Sequence, residues 1–308
     1  MPGAFLSVYY NISMADLSII IISYNTRALT DDCIDSILQS LLKAMFSYEI
    51  VVWDNASTDG SQELLRQWAK KDSHVSVHQS RENIGFGPAN NMAVKKVKGT
   101  HLLFLNSDIL TLENAIGDLY EYYTKHTDTL QFLGGKLLNP DMTEQASAGA
   151  FFNLRTVFLV LFLGGDRLKI TRYSPKSVRQ VDWISGACIM VNLRIFESLG
   201  GFDEKIFMYM EEVDLLYRAR QKDYKTFFYP QSRFIHYGSA SSDRTFPVQQ
   251  LFKGLLYFYR KHYPAYTVFL LTIMLQLKAL IAVAIGQAIN KDYLKITYGK
   301  ALKNLKMD

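Results

Sequence analysis

The sequence predicts an α/β protein: a mostly parallel, Rossmann-like mixed sheet with helices on both faces and a helical extension at the C-terminal end. Three observations carry this. Through the first third of the chain, short and nearly solid apolar runs alternate with amphipathic segments. The order β-α-β-α-β-α-β calls for parallel strands joined by right-handed crossovers. Each apolar run ends in polar residues, where an open parallel sheet offers groups to a ligand. A separate apolar run of 24 residues, 266–289, stands near the C-terminus.

The elements follow in order. LSIIIIS, residues 17–23, is rich in Ile, as a strand buried on both faces requires. Thr30, Asp31 and Asp32 read as the cap and acidic first turn of a helix reaching about Ala44. Residues 49–53 form a second buried strand that ends at Asp54, and the turn NASTDGS leads into a helix over 62–71. Residues 75–78 are a third strand. A helix spans 88–98, with Pro88 near its start and Gly99 past its end. The fourth strand, 101–105, runs into Asn106, Ser107 and Asp108. Beyond Thr111 the alternation loosens. Helices are expected over 112–126 and 210–221, strands over 130–133 and 182–191, and a strand from 226 towards His236. Residues 151–163 are mostly apolar, with Arg155 their only charge. The expected division is an N-terminal extension (1–16), two halves of one domain (17–111 and 112–245) and a basic-apolar tail (246–308).

Composition narrows the function. With 308 residues, 49% hydrophobic and 20% charged, a sizeable core is expected and global disorder is not. A net charge of +5 without dense basic clusters argues against nucleic acid as a partner. Cys33 and Cys188 are far apart in apolar surroundings, so neither a disulfide framework nor a cysteine metal site is expected. That suits a reducing, cytoplasmic compartment. The first 13 residues lack the features of a signal peptide, and Met14 is an alternative start.

The 266–289 run is long enough to span a bilayer, but Lys278 near its middle would cost roughly 2.5–3.5 kcal/mol on insertion. At helical spacing Thr272, Gln276, Ala279, Gly286 and Gln287 share one stripe, interrupted by Val283. Leu270, Met274, Leu277 and Ile281 face away. Arg260, Lys261 and His262 precede the run; Lys291, Lys295, Lys300, Lys303 and Lys306 follow it. A helix lying in the interface of an anionic membrane is the first reading. The second is a packing or homodimer helix using the small pair Ala282 and Gly286.

Five places could carry chemistry. Asp108 with the amide of Asn106 could hold a divalent cation through hard oxygens, or the stretch is simply a turn. Asp54 could accept from a nucleoside or serve as an Asx-turn. NIGFGPANN, residues 83–91, could bring backbone and a helix N-terminus to a diphosphate, although it lacks the third glycine of the dinucleotide fingerprint. MYMEEVDLLYR puts Glu211, Glu212 and Asp214 at a helix start, either as solvated caps or with one or two aimed into a cleft. His236 ends an apolar strand and is either a hydrogen-bonding residue or a metal ligand.

The motifs SIIIISYN, VVWDNASTDGS, NIGFGPANN, LFLNSD, DWISGACIMV, GFDEKIFMYMEEVDLLYR and FIHYGSAS stand in this order over about residues 17–242. The set resembles the family-two inverting glycosyltransferases of GT-A fold, in their rhamnosyltransferase-like branch. The resemblance implies a nucleotide-binding half at 17–111 and an acceptor or catalytic half at 112–245. Ser23, Tyr24, Asn25, Asp54 and Asn55 would hold the nucleoside of a dTDP- or UDP-linked sugar. Arg81, Asn83, Gly85 and Asn90 would line its diphosphate or ribose. Asn106, Ser107 and Asp108 look like the family's D-x-D motif with Asn in the first place. Asp108 and His236 would ligate Mn2+ or Mg2+. Trp183, Ser185, Gly186 and Ala187 would border sugar and acceptor, with Trp183 able to stack on a sugar face. Glu212 stands where the family has its base, one methylene longer than Asp; Glu211 and Asp214 are the alternatives. The implied reaction is metal-dependent transfer of a hexosyl group, rhamnose by resemblance, to a cell-surface glycan or lipid-linked acceptor. The implied setting is peripheral on the inner face of the cytoplasmic membrane. The competing reading is a non-catalytic nucleotide-sugar-binding homologue that organises an assembly complex.

Overall fold

The computed structural model describes residues 15–238 and 245–305. Most of the expected N-terminal extension, Met14 and Lys306 lie outside these residues.

The first half runs β1 (Leu17–Ser23), α1 (Arg27–Ser40), β2 (Tyr48–Asp54), α2 (Ser61–Lys71), β3 (Val75–Gln79), α3 (Phe86–Val94) and β4 (His101–Asn106). It continues through β5 (Ile109–Thr111), α4 (Ala115–Lys125), β6 (Phe132–Leu138), β7 (Ala148–Gly149), α5 (Leu154–Phe162) and β8 (Arg172–Tyr173). Then come β9 (Arg179–Val181), β10 (Trp183–Ile184), β11 (Cys188–Asn192), α6 (Leu193–Ser198), α7 (Glu211–Arg220) and β12 (Thr226–His236). Three helices close the chain: α8 (Thr245–His262), α9 (Ala265–Ala288) and α10 (Asp292–Asn304).

The large sheet has the order β3-β2-β1-β4-β11-β6-β12-β5. Strands β1 to β4 are parallel, as the alternation predicts, and β11 enters antiparallel between β4 and β6. Successive residues of a strand point to opposite faces. Ile20 and Ile22 therefore join one apolar cluster, while Ile19 and Ile21 join the other. Both faces are covered, which is why β1 reads as an unbroken Ile run. Ser23 lies beside Asp54 and Ile22 beside Asn106, so the polar tips of β1, β2 and β4 finish together.

Several expectations needed correction. Helix α1 begins at Arg27, and Thr30 is inside it, its hydroxyl 3.1 Å from Ser23 and 3.0 Å from Thr26. Helix α3 stops at Val94; Gly99 instead meets β1, where a Cβ would lie 2.7 Å from the Ser18 nitrogen. The single strand expected over 182–191 is two, β10 in a small β10-β7-β8 sheet and β11 in the large one, with residues 185–187 crossing between them. The short strand β5 has too few residues to show a pattern, yet it pairs with β12 and sets Ile109 opposite His236. That pairing brings Asp108 to His236.

In the tail, the buried stripe of α9 is Thr267, Leu271, Leu275, Ala279, Ala282 and Gly286. Of the polar stripe read from the sequence, Gln287 is exposed and Thr272 and Gln276 are partly buried. Lys278 is not stranded in the apolar run: its ammonium donates to the Leu161 carbonyl at 2.7 Å, satisfying a carbonyl near the end of α5. The small pair Ala282 and Gly286 is occupied within the chain, since a Cβ on Gly286 would stand 2.9 Å from Leu294 at the start of α10. The homodimer reading loses that feature.

Candidate active site

The loops after β1, β2 and β3 are sewn together by short polar side chains. Asn25, in a left-handed conformation, donates its N–H to Ser57 and accepts from the Thr58 N–H at 2.8 Å. The amide of Asn55 donates to Asn83 at 2.8 Å and to the Gly85 carbonyl, and accepts from the Ile84 N–H. Gly85 is required: its φ is +92°, and a Cβ would fall 2.4 Å from the Phe207 carbonyl oxygen. Asp54 is sealed at the tip of β2. One carboxylate oxygen accepts weakly from Ser57, and the other, Oδ1, has no partner among the described residues. Ser23 and Asn90, read as ligand-facing, are buried and spend their side chains internally, Ser23 on Thr26 and Thr30, Asn90 on the Phe86 carbonyl. Tyr24 is partly exposed and Arg81 exposed at the rim.

Across β1 lies the second group. The Nδ2 of Asn106 is 3.2 Å from His236 Nε2, and Asp108 Oδ1 is 3.3 Å from the same nitrogen. Asp108 Oδ2 accepts from the Gly238 N–H at 2.9 Å, and the Ser107 hydroxyl meets Thr26 at 3.0 Å. Gln145, which no sequence motif marks, decides the chemistry. Its Nε2 donates to the His236 carbonyl at 3.1 Å, so its Oε1 faces His236 Nδ1 at 2.7 Å. An amide oxygen accepts only, so Nδ1 carries a proton, and in that tautomer Nε2 is the ring's acceptor. Nε2 then accepts from the Asn106 Nδ2–H at 3.2 Å and lies 3.3 Å from Asp108 Oδ1, while Asn106 Oδ1 is buried nearby without a partner among the described residues. This donor set fits a small divalent cation of the Mg2+ or Mn2+ kind, with positions left for phosphate oxygens and water. Among the described residues no third His, Cys, Asp or Glu joins it.

The third group is the start of α7. Tyr209 and Met210 precede it with φ of 66° and 81°, a costly conformation for residues with a Cβ. Here the three carboxylates separate. Asp214 is fully buried and bonded by Arg218 at 2.7 Å, Lys261 at 2.8 Å and His262 at 2.7 Å. Burial works to raise its pKa, but these donors outweigh burial and bring it to about 2. Asp214 is a fixed anion in a structural cluster, which removes it as an alternative base. Glu211 is buried beside Gly87, its Oε2 without a partner among the described residues. Burial, and then the charge of Glu212, hold its carboxyl well above the usual carboxylate range. Glu212 is partly buried and packs over Gly186, where an added Cβ would lie 3.6 Å from the Glu212 Cβ. Burial raises its pKa too, opposed first by its own backbone N–H and then by the charge of Arg172. Residues 185–187 link this group to the second, because the Ala187 carbonyl accepts from the Asn106 N–H at 3.2 Å.

Trp183 does not offer its face to a sugar. It is 3% exposed, its indole N–H donates to the Ala150 carbonyl at 2.9 Å, and Phe152 stacks on it. Its apolar neighbours in sequence were the available signal.

Residues 18–144 match the family model described as Glycosyl transferase family 2. The chain is 30% identical over 219 residues to the low-salt glycan biosynthesis hexosyltransferase Agl10 of Haloferax volcanii, covering 68% of this chain and 62% of that one. It is 29% identical over 220 residues to the rhamnosyltransferase WbbL of Escherichia coli K12, covering 67% of this chain and 79% of that one. The chain thus spans about three fifths of the first relative's length. Among solved structures, GalNAc-T7 with UDP, GalNAc and Mn2+ superposes with a TM-score of 0.58 at 18% identity, over 81% of this chain and 51% of that one.

Proposed function

Residues 18–144 of this chain belong to glycosyl transferase family 2, on a GT-A-like fold and rhamnosyltransferase-like in sequence, and from that premise we propose that the protein is an inverting, metal-dependent glycosyltransferase. It moves a hexosyl group from a dTDP- or UDP-linked sugar to a hydroxyl of a cell-surface glycan or lipid-linked acceptor. Rhamnose is the sugar proposed, by likeness to the rhamnosyltransferase above.

One observation carries the reading. The Asn106–Asp108–His236 group and the Glu212 carboxylate flank the same three residues, 185–187, at the ends of the central strands. In the proposed division of labour, 17–111 serves the donor and 112–245 the acceptor. Asp54 Oδ1, an unpartnered acceptor, takes an N–H or hydroxyl of the nucleoside. The Asn25–Asn55–Asn83 mesh keeps the loops around it in shape. Asp108 and His236, with Asn106 Oδ1 beside them, hold Mn2+ or Mg2+, which when bound neutralises charge on the leaving diphosphate. Glu212 accepts the proton of the acceptor hydroxyl; burial, which raises its pKa, makes its carboxylate a stronger base. That oxygen attacks the anomeric carbon from the side opposite the diphosphate, so no covalent enzyme nucleophile is needed. The free, buried thiols of Cys33 and Cys188 suit the cytoplasmic side of the membrane.

The test is release of nucleoside diphosphate from a panel of nucleotide-sugars, with Mn2+ or Mg2+, before and after EDTA. Turnover that falls at least a hundredfold in Glu212→Gln and is lost with EDTA is expected. Turnover of no donor at all would favour the non-catalytic homologue. Full activity in Glu212→Gln would move the base to Glu211.

A further inference from the structure

We propose that Arg172 is a phosphate-binding residue on the acceptor side of the site, taking a phosphate that joins a lipid-linked acceptor to its hydrocarbon. The proposal rests on the glycosyltransferase reading above.

Arg172 is held in place and yet unspent. It sits in β8 opposite Gly149, where a Cβ would lie 2.6 Å from the Trp183 ring and 2.5 Å from the Thr171 carbonyl oxygen. This close approach sets the guanidinium carbon 5.5 Å from the centre of the Trp183 ring. Trp183 is therefore a platform for a cation, locked by its bond to Ala150 and by Phe152. The guanidinium makes no hydrogen bond with any described residue, and its Nε is buried without a partner. It forms no ion pair with Glu212, although its charge acts on that carboxylate from a distance. A partly desolvated guanidinium with no anion is costly, and its planar fork matches two oxygens of a phosphate.

The surroundings say whose phosphate it is. The chain reaches Arg172 from residues 163–170, LGGDRLKI. Leu163, Leu168 and Ile170 are exposed there, by 56%, 64% and 56%, and Arg167 and Lys169 are exposed among them. This apolar and basic loop follows α5, whose Leu161 carbonyl is tied to Lys278 of α9, itself lined outward by large apolar residues. A hydrocarbon chain can lie on this surface while its phosphate meets Arg172 and the attached sugar reaches Glu212. In the glycosyltransferase reading, the donor diphosphate is met by the metal that Asp108 and His236 would hold, with Asn106 beside them. A phosphate at Arg172 thus belongs to the acceptor.

The experiment uses the full chain, with dTDP or UDP and Mg2+ at saturation to fill the donor side. Farnesyl diphosphate and farnesol are the probes, titrated by calorimetry. Farnesyl diphosphate should bind wild type at least tenfold more tightly than farnesol. Arg172→Gln should remove about that tenfold, the loss of a charge-assisted pair of bonds, and Arg172→Lys should lose less. Nucleotide affinity and thermal stability should not change, which shows that the variants fold. Undiminished farnesyl diphosphate binding in Arg172→Gln would overturn the proposal. So would a loss that falls on dTDP and UDP instead, which would make the phosphate the donor's. If wild type binds no nucleotide, the glycosyltransferase reading fails, while the comparison of farnesyl diphosphate with farnesol still tests Arg172.

Discussion

At the scale of single residues, the site turns on which lone pairs are left over. Asp108, His236 and Glu212 were legible because each sits at a strand end or helix start that a sequence pattern marks. Gln145 was not. It lies in the connection after β6, 91 residues before His236, and the short strand β5 that brings Asp108 to His236 leaves no periodic trace. Yet its Oε1 is what holds the Nδ1 proton and leaves Nε2 as the ring's acceptor. Partners of this kind commonly cost 10–100-fold in metal affinity when removed. Gln145→Leu should therefore bind Mn2+ about tenfold more weakly than wild type, measured by electron paramagnetic resonance, whereas Gln145→Glu, which keeps an acceptor oxygen, should stay within a few fold. Equal Mn2+ affinity in wild type and Gln145→Leu would mean that His236 is not a ligand. Trp183 teaches the opposite lesson. Its place beside the motif suggested a sugar platform, but burial and a satisfied N–H make it a support for Arg172.

At the scale of elements, strands β1 to β4 could be read because burial on both faces enforces apolar runs. The break between β10 and β11 could not, since both halves are apolar and only the change of sheet separates them. The relation of α7 to α8 was equally hidden, because it rests on contacts between distant segments. Helix α8 presses on the left-handed turn before Glu211, where a Cβ on Gly254 would come within 2.9 Å of the Tyr209 carbonyl oxygen. It also sends Lys261 and His262 to Asp214. Removing one member of a buried ion cluster costs on the order of 3 kcal/mol, so Asp214→Asn should lose about that much at pH 6. The pH dependence has a definite sign. The Asp214 carboxyl is lowered from 3.8 to about 2, so its stabilisation is complete above pH 3.8 and fades as pH falls towards 2. Wild type should lose about 1 kcal/mol through this group by pH 3, and Asp214→Asn should not. Urea titrations at pH 6 and pH 3 read both, and a gap between the proteins that does not narrow at pH 3 would show that Asp214 is not the anion described.

At the scale of the whole molecule, one face has no protein partner among the described residues. Helix α9 is about 36 Å long, and its outward side carries Tyr266, Phe269, Ile273, Leu277, Leu280, Ile281 and Ile285, with no charge among them. Its inner side is occupied by α10, α8 and α5, and Lys278 is held by α5, which favours a helix lying along a bilayer rather than crossing it. Lys291, Lys300 and Lys303, beside or within α10, are exposed and available to anionic lipid, whereas Lys295 is paired with Asp292 at 2.7 Å. Cutting the chain after Tyr259 would be a poor test, because it strips Lys261 and His262 from Asp214. Substitution on the outward side is cleaner. Phe269 and Ile273 are one turn apart and 66% and 45% exposed, so Phe269→Glu with Ile273→Glu leaves the core intact while placing two anions on the contact surface. Wild type should co-sediment with vesicles containing phosphatidylglycerol, more weakly as salt rises, and the double variant at least tenfold less. Nucleotide binding should be the same in both. Unchanged sedimentation would reject the membrane face. A wild-type dimer that the double variant splits, seen by light scattering without vesicles, would assign α9 to a second copy of the chain instead.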